Sequence, residues 1–228
     1  MEMTRERAEH LICQRGWLSL MPEDFRTRLL KHALLLKFEP GQFIFRTGAP
    51  AGGIFGLVDG TVVINTAPLD SVPRLIHIAV PGGWTGEDSF LTGDTRRIDV
   101  VAQSETWILH VPIKAMEQMV SAYPNDIRAF GVISMQQADS ALRIVHDLQK
   151  RDISSRIASA LHRMSWSTDT PVTVSQDNLS IITNTSRKQV NNVIQRFVEE
   201  GWVETSYRSI TVKDPAALLQ HAEKDISN

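Results

Sequence analysis

Apolar positions change their rhythm twice along this chain. In residues 4–37 they recur at helical spacing, through Leu18, Met21, Phe25, Leu29 and Leu30. Pro22 suits a helix start, with Glu23 and Asp24 in the first turn. From Leu34 to Val111 short β-rich runs take over. They are expected at Leu34–Phe38, Gly41–Phe45, Gly53–Val58, Thr61–Asn65, Leu75–Ala79, Ile98–Ala102 and Thr106–Val111. Turn residues separate them at Pro40-Gly41, Gly48, Pro50, Asp59-Gly60, Pro81-Gly82-Gly83 and Gly93-Asp94. Many short strands with even spacing predict an antiparallel barrel or sandwich. Asp59-Gly60 between two apolar runs predicts a hairpin, because both residue types tolerate positive φ.

After Pro112 the helical rhythm returns. Lys114–Ser121 reads as a short helix, and a long one runs from Pro124 or Asn125 to near Arg151. Ile127, Phe130, Ile133 or Ser134, Ala138, Ala141, Val145 and Leu148 alternate in steps of three and four along it. That is a coiled-coil-like seam, and it predicts a homodimer. Asp152 then caps a helix containing Ile157, Ala160, Leu161 and Met164, and a polar loop follows at 165–171. The organisation expected is residues 1–123 for a β-rich unit with N-terminal helices, 124–151 for the dimerisation helix and 152–228 for a smaller C-terminal unit.

The C-terminal unit carries the chemistry. Ser175 is a good N-cap, Leu179 and Ile182 face inward, and Thr183 and Asn184 break the helix. Thr185 or Ser186 caps a second helix with Val190, Val193, Ile194 and Phe197 on one face, and Gly201 ends it. Trp202–Thr205 and Ser209–Val212 make a hairpin, so the whole is a helix-turn-helix with a wing. The outward face of the second helix predicts double-stranded DNA as the partner. Arg187, Lys188, Gln189, Asn191 and Asn192 are candidate base readers, since Arg pairs with guanine and Gln or Asn with adenine. Ser175, Gln176, Ser186 and Arg196 are candidate phosphate contacts. Between Ser186 and Arg196 there is no acid, unusual for a merely solvated face.

Composition narrows the classes. The chain has 228 residues, 42% hydrophobic and 22% charged, with a formal net charge of -2. A DNA site must therefore be a local patch rather than a whole-molecule basic coat. Cys13 is the only cysteine, so an intrachain disulfide and a four-cysteine iron–sulfur or zinc site are excluded. Cys13 reads as a packed small hydrophobe. The charged start is no signal peptide and no apolar run spans a bilayer, so a cytoplasmic protein with no membrane partner is expected. Enzyme signatures are missing: no P-loop, no His-Glu-x-x-His and no Gly-x-Ser-x-Gly, and the glycines at 82–86 do not lead from a strand into a helix.

Taken together the chain resembles the cyclic-AMP-receptor and fumarate–nitrate regulator (Crp/Fnr) family over about residues 15–213. The resemblance rests on the run Pro40-Gly41-Gln42-Phe43-Ile44-Phe45 with Gly48, then Gly53 to Val62, Gly83-Trp84-Thr85-Gly86-Glu87, and Ser186-Arg187-Lys188-Gln189-Val190. It implies an α+β fold: a cyclic-nucleotide-binding-like β-roll (a double-stranded β-helix or jelly roll), a long dimerisation helix, and a C-terminal winged helix-turn-helix reading a two-fold operator. It also implies an activator with RNA polymerase as a protein partner. A regulatory module acting on another protein is the alternative, and the wing argues against it. The candidate effector pocket that the resemblance implies is Gly86, Glu87, Arg96, Arg97, Ala141 and Leu142. Gly86-Glu87 and Arg97 match the phosphate cassette, but Ile98 stands where a serine is expected and Ala141 and Leu142 stand where Thr and Ser would meet a purine. Tight cyclic-nucleotide binding is therefore not expected, and no cofactor or metal is assigned. His77 and His110 fall on predicted strands and read as packing residues rather than haem ligands.

Overall fold

A computed structural model describes residues 3–66, 72, 74–165 and 170–224. Three short helices, α1 (Arg5–Ile12), α2 (Gly16–Ser19) and α3 (Glu23–Lys31), precede the strands β1 (Leu34–Phe38), β2 (Phe43–Phe45), β3 (Gly53–Asp59), β4 (Val62–Thr66), β5 (Arg74–Ala79) and β6 (Trp84–Thr85). Helix α4 (Glu87–Thr92) interrupts them before β7 (Asp99–Ala102) and β8 (Thr106–Pro112). Helix α5 (Ile113–Ala122) and a 3-10 turn (Pro124–Asp126) lead into α6 (Ile127–Gln149). Then follow α7 (Ile153–Met164), β9 (Val172–Thr173), α8 (Gln176–Ile182), α9 (Arg187–Glu199), β10 (Val203–Ser206), β11 (Ser209–Val212) and α10 (Pro215–Glu223). The chain divides into two compact units, Met1–Arg74 with Ala79–Asp139, and Leu75–Ile78 with Ser140–Asn228.

Two four-stranded sheets build the β-roll, ordered β1-β8-β3-β6 and β2-β7-β4-β5. The period of two in a strand sorts its side chains between two cores. On β3, Phe55 and Leu57 join Phe45, Val62, Ile64, Val100 and Ile108 inside the roll. Ile54 and Val58 point the other way, onto a core shared with α1–α3, α5 and the start of α6. Trp17 centres that second core, with ring centroids 5.7 Å from Phe25, 5.2 Å from Trp84 and 6.1 Å from Phe130. Both faces of β3 are covered, which is why it reads as a continuous apolar run.

Several expectations are corrected here. Asp59-Gly60 does not close a hairpin: β3 pairs with β8 while β4 pairs with β7, so the turn is a corner between sheets. Gly60 does take φ +96°, and the corner and the hairpin need the same residue types. The helical stretch at 4–37 is three pieces ending at Lys31, broken at Gly16, where φ is +67° and a Cβ would lie 1.9 Å from the Gly82 carbonyl oxygen. Pro22 is the N-cap of α3 rather than its first residue. Strand β6 is an addition to the expected set, two residues paired to Phe55 and Gly56, and through it the glycines at 82–86 do lead into a helix, with Gly86 the N-cap of α4. The loop expected at 165–171 lies mostly outside the described residues.

The second unit is a small core under a helix-turn-helix. Asp152 caps α7 by accepting the Ser155 N–H at 2.8 Å. Helix α7 (buried at Ile157, Ala160, Leu161 and Met164) packs on α8 and α9, which bury Leu179, Ile182, Val190, Ile194 and Phe197. The sheet β10-β11-β9 supplies Val203, Ile210, Val212 and Val172, and α10 adds Leu218 and Ala222.

Candidate nucleic-acid interface and sensor cassette

Helix α8 begins at Ser175, whose hydroxyl accepts the Asn178 N–H at 3.0 Å. It stops at Thr183, and Asn184 turns the chain at φ +48°. Helix α9 begins at Ser186 with a reciprocal cap. The Ser186 Oγ accepts the Gln189 N–H at 3.3 Å, and Gln189 Oε1 accepts the Ser186 N–H at 3.1 Å. Gly201 follows the helix with φ +75°. At about 100° per residue, the buried Val190, Ile194 and Phe197 set the inner side of α9, and Lys188, Asn192 and, at its C-terminal end, Glu199 point most nearly away, with Gln195 beside them. Arg187 flanks them, its side chain 69% exposed and its guanidinium 3.6 Å from the Asp177 carboxylate.

The polar face thus divides by what each side chain already holds. Arg187, Lys188 and Asn192 are exposed. Asn191 is half-buried and accepts from Gln176 Nε2 at 3.0 Å, so the predicted base reader and the predicted phosphate contact are spent on each other, clasping α8 to α9. Gln189 is exposed, but its carbonyl oxygen also accepts from the hydroxyls of Thr185 and Ser186, both at 2.9 Å. Arg196 leans toward α10, 3.4 Å from His221 Nε2 and over the Phe197 ring. Two exposed groups escape the sequence reading, Tyr207 and Arg208, at the wing's two-residue tip between Ser206 and Ser209. Arg208 takes φ +53° there. A short polar tip between the two hairpin strands was the available signal.

In the β-roll, Gly86, Glu87 and Arg96 are already held by hydrogen bonds within the fold. Arg96, not Arg97, enters the fold: it is 2% exposed. Its guanidinium donates to the Gly86 carbonyl at 2.8 Å and the Gly53 carbonyl at 2.6 Å, and lies over the Phe45 ring. Gly86 has φ +98°, and a Cβ there would sit 2.4 Å from Arg96 Nη1, so the arginine needs this glycine bare. Arg97 is exposed and pairs with Asp94 at 3.1 Å. The one-residue shift escapes the sequence because two arginines adjoin. Glu87 is buried and accepts from the Ser134 hydroxyl of α6 at 3.0 Å. Burial pushes its pKa up to about 7, only partly offset by its own backbone N–H and Ser134. His110 stacks on Phe55 at 4.3 Å and bonds the Gly52 carbonyl, and burial lowers its pKa. Ala141 and Leu142 are exposed on α6 and belong to the other compact unit.

The seam on α6 is also corrected. Phe130 is fully buried in the helix-facing core, and Ser134 is bound to Glu87. Gln137 on the same side donates to the Trp84 carbonyl at 2.7 Å, and the Ala129 carbonyl accepts from Trp17 Nε1 at 2.8 Å. This face of the helix docks on its own unit. The exposed apolar stripe is Val132, Met135, Leu142, Val145 and Leu148, with Ala138 between. Ile127 sits at its edge, 37% exposed.

A β-roll, a long helix and a winged helix-turn-helix in this order define a two-domain DNA-binding regulator. Comparison with known proteins gives the same class. Residues 35–123 match the cyclic nucleotide-binding domain and residues 155–221 the Crp-like helix-turn-helix domain. The CRP-like protein Clp of Xanthomonas campestris pv. campestris (strain B100) is 21% identical over 198 residues, covering 81% of this chain and 86% of Clp. Among solved structures, FixK2 of Bradyrhizobium japonicum superposes with a TM-score of 0.69 at 15% identity, over 82% of this chain and 96% of its own. A CRP-family transcriptional regulator of Thermus thermophilus, TTHB099, gives 0.62 at 22% identity, over 83% and 97%. The chain belongs to the Crp/Fnr family of transcription regulators. That family is one of regulators, not of enzymes. No helix among the described residues is long and apolar enough to cross a membrane.

Proposed function

We propose that this protein works as a homodimer that reads a two-fold symmetric operator through α9. Arg187, Lys188 and Asn192 act as base readers, while the free N–H groups behind the Ser186 cap and the wing tip at Arg208 contact phosphate. The carrying observation is the acid-free outward face of α9 from Arg187 to Gln195, set on a capped and firmly packed helix. The exposed stripe from Val132 to Leu148 supports pairing through α6. Two reading helices then meet half-sites about 34 Å apart, one turn of DNA.

The sensor unit responds to something other than cyclic AMP, or to nothing. A phosphate entering the cassette must pull Arg96 off two backbone carbonyls, and a ribose must take Glu87 from Ser134. RNA polymerase is the partner such an activator would recruit.

Selection of bound fragments from a random DNA pool tests the reading. An enriched two-fold motif is expected, and Arg187→Ala should weaken binding to it about 5- to 150-fold while non-specific binding stays. If nothing is enriched, DNA reading by this helix is wrong. Millimolar cyclic AMP should leave the melting temperature unmoved. A rise of several degrees would show that the cassette opens to the nucleotide.

A further inference from the structure

The two helices that would face DNA, α8 and α9, carry two acids: Glu199 is the last residue of α9, and only Asp177, in the first turn of α8, stands beside the base readers at the start of α9. A free carboxylate on that surface would repel phosphate. It is not free: its Oδ1 lies 3.6 Å from Arg187 Nη1, with both groups largely exposed. We propose that Asp177 is a positioning residue for DNA recognition, holding the Arg187 guanidinium in the orientation that reads a base edge. The proposal rests on the DNA-reading role given to α9 above and says how that site obtains its selectivity.

The two groups are brought together by the clasp beside them. The bond from Gln176 to Asn191 fixes the first turn of α8 against α9. Asp177 follows Gln176 directly, and Arg187 lies one helical turn before Asn191, so the second pair falls in line with the first. An exposed ion pair of this kind adds little to stability. Its effect is on orientation and charge. Arginine has five N–H donors in a planar fork, so a carboxylate on one edge leaves the other edge for the two acceptors of guanine. Partial neutralisation also weakens the pull of Arg187 toward the nearest phosphate, which every DNA sequence offers equally. Asp177 would therefore lower general affinity and raise discrimination. An acid in the first turn also suits the dipole of α8, but that benefit does not depend on Arg187.

The test compares wild type, Asp177→Asn, Asp177→Glu, Arg187→Ala and the Asp177→Asn/Arg187→Ala double variant. Each is measured on the selected operator, on single-base operator variants and on random duplex at fixed salt. For Asp177→Asn the expected result is a roughly tenfold smaller preference for operator over random DNA, at the lower end of what one bidentate pair supplies. The preference should flatten at one base pair per half-site, random DNA should bind more tightly, and the melting temperature should barely move. Asp177→Glu should recover most of the discrimination. In the Arg187→Ala background, Asp177→Asn should leave the base profile unchanged. An undiminished base profile in Asp177→Asn overturns the proposal, as does an equal loss in the Arg187→Ala background, which would mark a structural role. A wild type that enriches no sequence overturns DNA reading itself and is thereby distinguished from either.

Discussion

At the scale of the residue, Glu87 is the group whose surroundings most alter its chemistry. It is 3% exposed, and its pKa is raised from 4.5 to about 7 by burial. The unfolded chain would release this proton near pH 4.5 and the folded one near pH 7. Between those values the folded state binds more protons, so this residue's contribution to stability declines as pH rises through that window and levels off above it. The loss is on the order of 3 kcal/mol, from about 1.4 kcal/mol per unit. Glu87→Gln keeps an acceptor for the Ser134 hydroxyl and removes the charge. Urea unfolding at pH 4 and pH 8 should find the variant equal to wild type at the lower pH and more stable at the higher. Equal stability at both would mean that Glu87 titrates as an ordinary carboxylate. Arg96 is the complementary case, a buried cation satisfied by carbonyls instead of an acid. Gly86→Ala should therefore destabilise the β-roll, since the new methyl meets the guanidinium at 2.4 Å from a backbone with φ +98°. A melting temperature within a degree of wild type would contradict this.

At the scale of the element, α9 shows what local sequence rules can and cannot reach. Its start at Ser186, its inner face and its end before Gly201 follow from short-range chemistry: a hydroxyl for the orphan N–H groups, a 3.6-residue period and a residue free to take positive φ. Ser186→Ala removes half of the reciprocal cap and should cost about 1 kcal/mol in urea unfolding, with the loss largely shared by Gln189→Ala because the two side chains act as one device. Additive losses would show that they act separately. The division of labour among the polar residues was not legible. Gln176 and Asn191 are fifteen positions apart, and nothing in their spacing announces that they meet. Arg196 is drawn aside by a histidine twenty-five residues later. The same limit explains Asp59-Gly60, where the turn chemistry was right and the partner strand was wrong, since strand pairing is set by distant residues.

At the scale of the whole molecule, the proposed dimer turns on which side of α6 would meet a second copy. The helix carries two apolar stripes, and stepping by threes and fours from Ile127 runs along the inner one through Phe130 before crossing to the outer one near Ala138. Sequence period alone cannot separate them, because a stripe packed on its own domain and one packed on a partner have the same spacing. Burial separates them. Phe130→Ala should act as a core truncation, costing about 3–5 kcal/mol of stability, without a specific effect on mass at concentrations where the chain stays folded. Leu142→Glu with Val145→Glu places two like charges on each copy's outer stripe, where both side chains are more than half exposed. The expected outcome is a folded monomer in sedimentation equilibrium. A monomer brings one reading helix to the DNA instead of two, so the slope of log affinity against log salt should fall to about half, since each half-site releases its own counterions. An unchanged mass rejects the outer stripe as the seam. A monomer with the full salt slope would mean that one copy makes all the phosphate contacts, and the two-fold operator would have to be abandoned.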